Sequence, residues 1–264
     1  MKIGFIGCGN MARAIIGGIQ KQKLVTGEEL MASAKTDATR KRIQEELGIR
    51  AAQNNSEAAS FADVLILAVK PVYMEEVIEE IADAVRPETI VVTLAPGKTL
   101  QWLDSTFGKP TKLVRTMPNT PALVGEGMTA LCPNSFVTAE ELDAVIKIFQ
   151  SFGKIQVVPE TMIDVVVGAS GSSPAYVFLF IEALADAAVA DGMPRAMAYE
   201  FAAQSVMGSA KMVLETGKHP GELKDMVCSP GGTTMEAVRV LEEKGFRSAV
   251  IEASRACVKK ARDL

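Results

Sequence analysis

Lys2-Ile3-Gly4-Phe5-Ile6-Gly7-Cys8-Gly9-Asn10-Met11-Ala12 is the stretch from which the fold follows. After Lys2, Ile3 to Ile6 form an apolar run of strand length, Gly7 and Gly9 fall where a strand would turn into a helix, and helical spacing begins near Met11. In that setting Gly7, Gly9 and Ala12 complete the pattern G-x-G-x-x-A of a dinucleotide-binding turn. Gly7 permits the sharp reversal, Gly9 lets the backbone approach a pyrophosphate, and Ala12 keeps helix and strand close. The helix start adds free N–H groups and the positive end of its dipole. The alternative is an ordinary strand-to-helix turn that happens to use two glycines.

Working outward, short β-branched runs at residues 2–6, 30–32, 64–69, 90–94, 113–115, 128–131 and 154–158 alternate with amphipathic segments of helix length. This is the pattern of parallel strands joined by crossover helices, and several runs are apolar on both faces, as buried parallel strands are. Residues 1–159 are therefore expected to form a Rossmann-type α/β domain. After Pro159 the alternation stops, and residues 173–191, 194–216, 234–244 and 246–262 carry helical periodicity. Residues 160–264 are expected to be an all-helical domain. Its Ala- and Met-rich apolar faces are wide for about 100 residues, so part of that surface is expected to meet a partner subunit.

The composition excludes several classes. With 264 residues and 48% hydrophobic content the chain can hold two cores meeting at a cleft. Its 28 Lys+Arg and 32 Asp+Glu are spread along the chain, with a net charge of −4, so neither nucleic acid nor an anionic membrane surface is an expected partner. Cys8, Cys132, Cys228 and Cys257 lie far apart without metal-site or redox spacing, which suggests reduced thiols in the cytoplasm and no metal. The N-terminus has no apolar core of signal-peptide length before its glycines. The uncharged run 165–181 is interrupted by Gly168, Ser170, Gly171, Ser172, Ser173 and Pro174 and is expected not to span a bilayer.

The choice of dinucleotide rests on Ser33-Ala34-Lys35-Thr36, at the end of the second strand, where an NAD enzyme places an acid on the ribose hydroxyls. Ser33, Lys35 and Thr36 suit an additional phosphate instead, which favours NADPH and leaves NADH as the less preferred donor. Asp37 would become a ribose ligand if the turn ran one or two residues longer, and Lys35 alone could be a solvated loop charge. Three further loops close strands at the same sheet edge: Ala68-Val69-Lys70-Pro71, Leu94-Ala95-Pro96-Gly97 and Met117-Pro118-Asn119-Thr120-Pro121. Rigid prolines and small residues there bring backbone close to a flat cofactor, and Asn119 has the donor and acceptor that a nicotinamide carboxamide needs. Each proline could also merely end its strand.

In the helical half, Cys228-Ser229-Pro230-Gly231-Gly232-Thr233-Thr234 ends where a helix begins. Gly231 and Gly232 let successive N–H groups converge, while Ser229, Thr233 and Thr234 add hydroxyls around a space fit for a small carboxylate. The same residues also read as a proline-glycine turn with a threonine N-cap, and local physics does not separate the two.

Ser229-Pro230-Gly231-Gly232-Thr233-Thr234, taken with Gly4-Phe5-Ile6-Gly7-Cys8-Gly9-Asn10-Met11, resembles the pyrroline-5-carboxylate reductase family over essentially the full chain. Ala68-Val69-Lys70-Pro71, Met117-Pro118-Asn119-Thr120-Pro121, Gly171-Ser172-Ser173-Pro174-Ala175-Tyr176 and Gly245-Phe246-Arg247 are similar too. The resemblance implies reduction of 1-pyrroline-5-carboxylate to proline, a helical domain that interlocks with its twin, and an active site where two subunits meet. It implies a Thr234 hydroxyl bonded to the substrate ring nitrogen as the catalytic contact, with Ser229, Gly231, Gly232 and Thr233 around the carboxylate. On the cofactor side it implies Gly7, Gly9, Asn10, Met11, Ser33, Lys35, Thr36, Asn55, Val69, Lys70, Pro71, Ala95, Gly97 and Asn119. Thr233 departs from the alanine of several relatives, which matters little if the backbone N–H does the binding.

A protonated imine accepts hydride without a protein acid, which suits a chain whose only histidine is His219. Two other readings remain: a hydroxy-acid dehydrogenase using a catalytic lysine, for which Lys154 and Lys211 are the only lysines in the right region, and a non-catalytic dinucleotide sensor.

Overall fold

The structure is a computed structural model and describes residues 1–263. β1 (Ile3–Ile6) leads into α1 (Asn10–Lys21), β2 (Leu30–Ser33) into α2 (Asp37–Leu47) and β3 (Arg50–Ala51) into α3 (Asn55–Phe61). β4 (Val64–Leu67) and α4 (Met74–Ile81) follow, then β5 (Ile90–Thr93) and α5 (Leu100–Phe107). β6 (Lys112–Met117) is succeeded by β7 (Gly127–Pro133), α6 (Ala139–Gln150) and β8 (Gly153–Val157). One sheet takes them in the order β3-β2-β1-β4-β5-β6-β7-β8.

The first six strands are parallel, with Ile3 beside Leu30 on one side and Val64 on the other. Alternate residues serve opposite faces, as the pleat requires. Val64 and Ile66 join Ile15, Ile19 and Phe149 in the core beneath α1 and α6, whereas Leu65 and Leu67 join Ile78, Ile81 and Leu103 beneath α4 and α5. β1, β2, β4 and β5 are buried along their whole length and have no solvent-facing side. The sheet departs from the expected all-parallel pattern at β7, which runs antiparallel to β6 and parallel to β8. The physical reason is the connection: no helix lies between β6 and β7, only a 3₁₀ turn at Thr120–Val124 that reverses the chain.

Beyond the sheet come α7 (Glu160–Val166), a π turn at Val167–Gly171, α8 (Ser173–Ala190), α9 (Arg195–Thr216), α10 (Pro220–Val227), α11 (Thr233–Glu243) and α12 (Phe246–Arg262). The chain divides into two compact units: residues up to Ser172 together with those from Cys257 onward, and Ser173–Ala256. The helical unit has little core of its own. α8 buries only Ala185, α9 only Ala198 and Ala202, and α11 nothing. Phe178, Leu179, Phe201 and Leu214 are each more than 60% exposed.

The interruptions at Gly168, Ser170 and Gly171 do not break the apolar run as expected. They are absorbed by the π turn, and Glu160–Ala190, 31 residues, is long and apolar enough by length and composition to cross a membrane.

Arg115 on β6 is 2% exposed and ties α7 to the sheet. Its guanidinium donates to Glu160 at 3.1 Å and Asp164 at 3.3 Å, two acids four residues apart on one face of the helix. Glu160 also accepts the Leu100 N–H at 2.7 Å. Arg115→Met is expected to lower unfolding free energy by about 2 to 3 kcal/mol in urea titration, below the usual loss for a fully buried pair because both acids keep solvent contact. An unchanged midpoint and slope would show that the cluster does not hold α7.

Candidate active site

The turn after β1 has the form that its glycines require. Gly7 adopts φ +88°, and a side chain there would strike the Ala68 carbonyl and the Val69 methyls, so Val69 closes directly on the turn. Gly9 is the N-cap of α1; a Cβ there would enter open space with no protein atom within 4 Å. No side chain caps this helix and no acid stands in its first turn. The amides of exposed Asn10 and half-buried Met11 therefore face the opening with the positive helix end behind them. This surface fits a pyrophosphate.

Next to it, Ser33 is 1% exposed and turned inward. Its hydroxyl donates to Asn55 Oδ1 at 2.6 Å, and Asn55 Nδ2 donates to Glu80 Oε2 at 2.6 Å. Because an ionised carboxylate only accepts, Glu80 fixes which way the Asn55 amide points. Glu80 has no neighbour in sequence that hints at this role. Lys35 is exposed, with its ammonium 5.9 Å from the ring centroid of Tyr73, which follows Lys70 and Pro71 in the turn after β4. Thr36 caps α2 through the Thr39 N–H at 3.3 Å. The turn thus ends at Thr36, and Asp37 is the first residue of α2, ion-paired to Arg40.

Ala95 is buried, with its N–H on the Thr93 hydroxyl at 3.2 Å, and Gly97 adopts φ +77°. Asn119 has both ends of its amide engaged within the chain. It is 8% exposed; Nδ2 donates to the Ser170 carbonyl at 3.0 Å and Oδ1 accepts the Met128 N–H at 2.9 Å. The amide thus joins the loop after β6 to the start of β7 and to the π turn after α7.

Ser229 to Thr234 belong to the helical unit. Gly231 adopts φ +68°, and Gly232, the N-cap of α11, packs so closely on Ser229 that a side chain would collide with its hydroxyl. The threonine N-cap is not what forms: the cap is Gly232, without any side-chain bond; its own N–H donates to the Ser229 carbonyl at 3.0 Å, and the Thr233 and Thr234 amides in the first turn have no intrahelical acceptor. Glu236 in that first turn is bound by Arg239 at 2.7 Å, which holds its carboxyl below the usual range and offsets its charge. His219 caps α10, its Nδ1 accepting the Gly221 N–H at 3.0 Å. Lys154 lies in β8, and Lys211 pairs with Glu215 on α9 at 3.5 Å.

Residues 160–264 match the family model for pyrroline-5-carboxylate reductase dimerisation, and residues 2–97 match that for NADP oxidoreductase, coenzyme F420-dependent. The chain is 55% identical to the pyrroline-5-carboxylate reductase of Escherichia coli, an alignment covering 100% of this chain and 98% of that protein. It belongs to the pyrroline-5-carboxylate reductase family. Solved structures agree. The pyrroline-5-carboxylate reductase of Coxiella burnetii has a TM-score of 0.92 at 36% identity, covering 99% of this chain and 97% of that one. The Plasmodium falciparum pyrroline carboxylate reductase, solved with NADP bound, has a TM-score of 0.91 at 32% identity, covering 100% and 97%. The resemblance drawn from Ser229 to Thr234 is thereby shown, with its α/β domain followed by helices. For a pyrroline-5-carboxylate reductase, the exposed apolar faces of α8 and α9 are the surface of a dimerisation domain.

Burial pushes the Cys8 and Cys132 thiols up from their ordinary value, leaving little thiolate near neutrality. Alkylation followed by mass spectrometry is expected to label both slowly at pH 7 and faster as pH rises. A bound dinucleotide should slow Cys8 further and leave Cys132 unchanged. Fast labelling of Cys8 that nucleotide does not alter would place the cofactor elsewhere.

Proposed function

We propose that the chain reduces 1-pyrroline-5-carboxylate to L-proline with NADPH, as the last step in making that amino acid. The observation that carries this is the start of α11: a helix opening on Gly232 with no capping side chain, two threonines following, and its one nearby acid neutralised by Arg239. A small carboxylate suits those amides by charge and by size.

Gly7, Gly9, Asn10 and Met11 would hold the pyrophosphate, Lys35, Thr36 and Asn55 the phosphorylated ribose, and Val69, Lys70, Pro71, Ala95 and Gly97 the remaining dinucleotide. Ser33 supports Asn55 from below. Asn119 serves by bracing the loop after β6. When bound, NADPH supplies the hydride. The chain's own work is placement: Gly231, Gly232 and Thr233 receive the carboxylate, with Ser229 beside them, and the Thr234 hydroxyl accepts from the protonated ring nitrogen. That leaves the C=N carbon electrophilic and oriented, so orientation supplies most of the rate and no protein acid is needed in the step. His219, spent on capping α10, is free of that duty.

Residues 1–159 serve as the dinucleotide-binding domain and residues 160–264 as the dimerisation and substrate domain. The exposed faces of α8 and α9 are covered by a second copy rather than by lipid, the active site forms where subunits meet, and the enzyme works in the cytoplasm.

Steady-state assays with the imine and NADPH test this reading. Thr234→Ala is expected to lower kcat/KM by about tenfold or more, the worth of one oriented hydrogen bond. Wild-type kinetics in that variant, or no oxidation of NADPH with the imine, would refute it. On detergent-free lysis the chain is expected in the soluble fraction, eluting as a dimer or larger. Recovery with membranes would instead assign Glu160–Ala190 to lipid.

A further inference from the structure

We propose that Arg40 sets the preference for the phosphorylated dinucleotide by holding the Asp37 carboxylate away from the ribose. This rests on reading residues 33–36 as the turn that meets the ribose phosphate. In such folds an acid at the end of the second strand accepts from the ribose hydroxyls, and the same charge repels a phosphate. Asp37 is the one acid between Ser33 and Thr39, immediately beyond that turn. Its side chain is 93% exposed, so the backbone does not dictate where the carboxylate lies.

Arg40 does. Its guanidinium is only 26% exposed and is anchored on both sides: Nη1 donates to the Ala34 carbonyl at 3.2 Å and the Gln53 carbonyl at 3.4 Å, while Nη2 binds Asp37. Ala34 follows β2 and Gln53 follows β3, so the guanidinium is pinned between the two loops at the carboxyl ends of those strands. The anchored cation decides the position of the free anion. Asp37 is thereby neutralised on the first turn of α2, and Lys35 remains as an uncompensated charge on the turn itself. Without Arg40, the carboxylate two residues from Lys35 would cancel that charge and become available to ribose hydroxyls.

The test is calorimetric binding of NADP⁺ and of NAD⁺ to the full-length protein, read as the ratio of the two dissociation constants. Wild type is expected to favour NADP⁺. Arg40→Ala should reduce that ratio about tenfold, the scale of one unit charge released a few ångströms from another near a surface. Asp37→Ala alone, at a position whose side chain is 93% exposed, should keep or raise the ratio. The double variant Asp37→Ala/Arg40→Ala should recover to within about threefold of wild type, since the carboxylate is the source of the penalty. An unchanged ratio in Arg40→Ala, a fall in Asp37→Ala, or no recovery in the double variant would each overturn the role assigned to Arg40. A wild type that binds neither nucleotide, or prefers NAD⁺, would instead overturn the reading of the turn on which the proposal stands.

Discussion

A helix that begins on a glycine leaves its first backbone N–H groups without the side-chain oxygen that normally takes one of them, and something else must satisfy the rest. In this chain α2, α3, α5, α6 and α10 are capped by Thr36, Asn54, Thr99, Thr138 and His219. α1 and α11 open on Gly9 and Gly232 with no such bond. α4, α7 and α9 lack a side-chain cap as well; the two starts on Gly9 and Gly232 lie one in each compact unit, and both kinds of ligand proposed for them are anions. Much of the surrounding structure keeps these starts clear. Val69 and Ala68 close against Gly7, Arg239 neutralises Glu236, and α1 carries no acid in its first turn.

The two units reach order differently. The central strands β1, β2, β4 and β5 are buried on both faces, and α1 is held on them by side chains such as Ile15 and Ile19 that have no exposed surface. A phosphate cradle built there has a rigid base. The helical unit buries so little by itself that a single copy leaves large aromatic and aliphatic side chains in water. A family whose matching domain is one of dimerisation accounts for that surface without a larger internal core. It also accounts for a 31-residue run long and apolar enough to cross a bilayer in a chain with the fold of a reductase.

Most of the sheet was legible because residues such as Val64, Leu65, Ile66 and Leu67 are apolar in succession, a pattern that only burial on both faces sustains. β3 leaves little pattern to read, because Arg50–Ala51 is two residues long and partly exposed. The antiparallel turn into β7 could not be told from a short crossover by strand pattern alone. α10 lies outside the segments with clear helical periodicity because its eight residues begin with Pro220 and Gly221, although proline is well placed in a first helical turn. At the site, glycine positions were readable because their conformations are local. The partners of polar side chains were not: Glu80 stands 25 residues from Asn55, and Ser170 stands 51 from Asn119. Only tertiary folding brings them together. The Asp37 and Arg40 pair was within reach, being three residues apart on a helix start, but its meaning depends on carbonyls of two different loops.

The most direct test is a crystal structure of the assembled protein with NADP⁺ and proline. The account predicts a pyrophosphate on the α1 amides, the proline carboxylate on the α11 amides, and the nicotinamide ring about 3 to 4 Å from the proline carbon that receives hydride. A nicotinamide remote from the Gly231–Gly232 turn in every subunit pairing, with proline bound elsewhere, would contradict it.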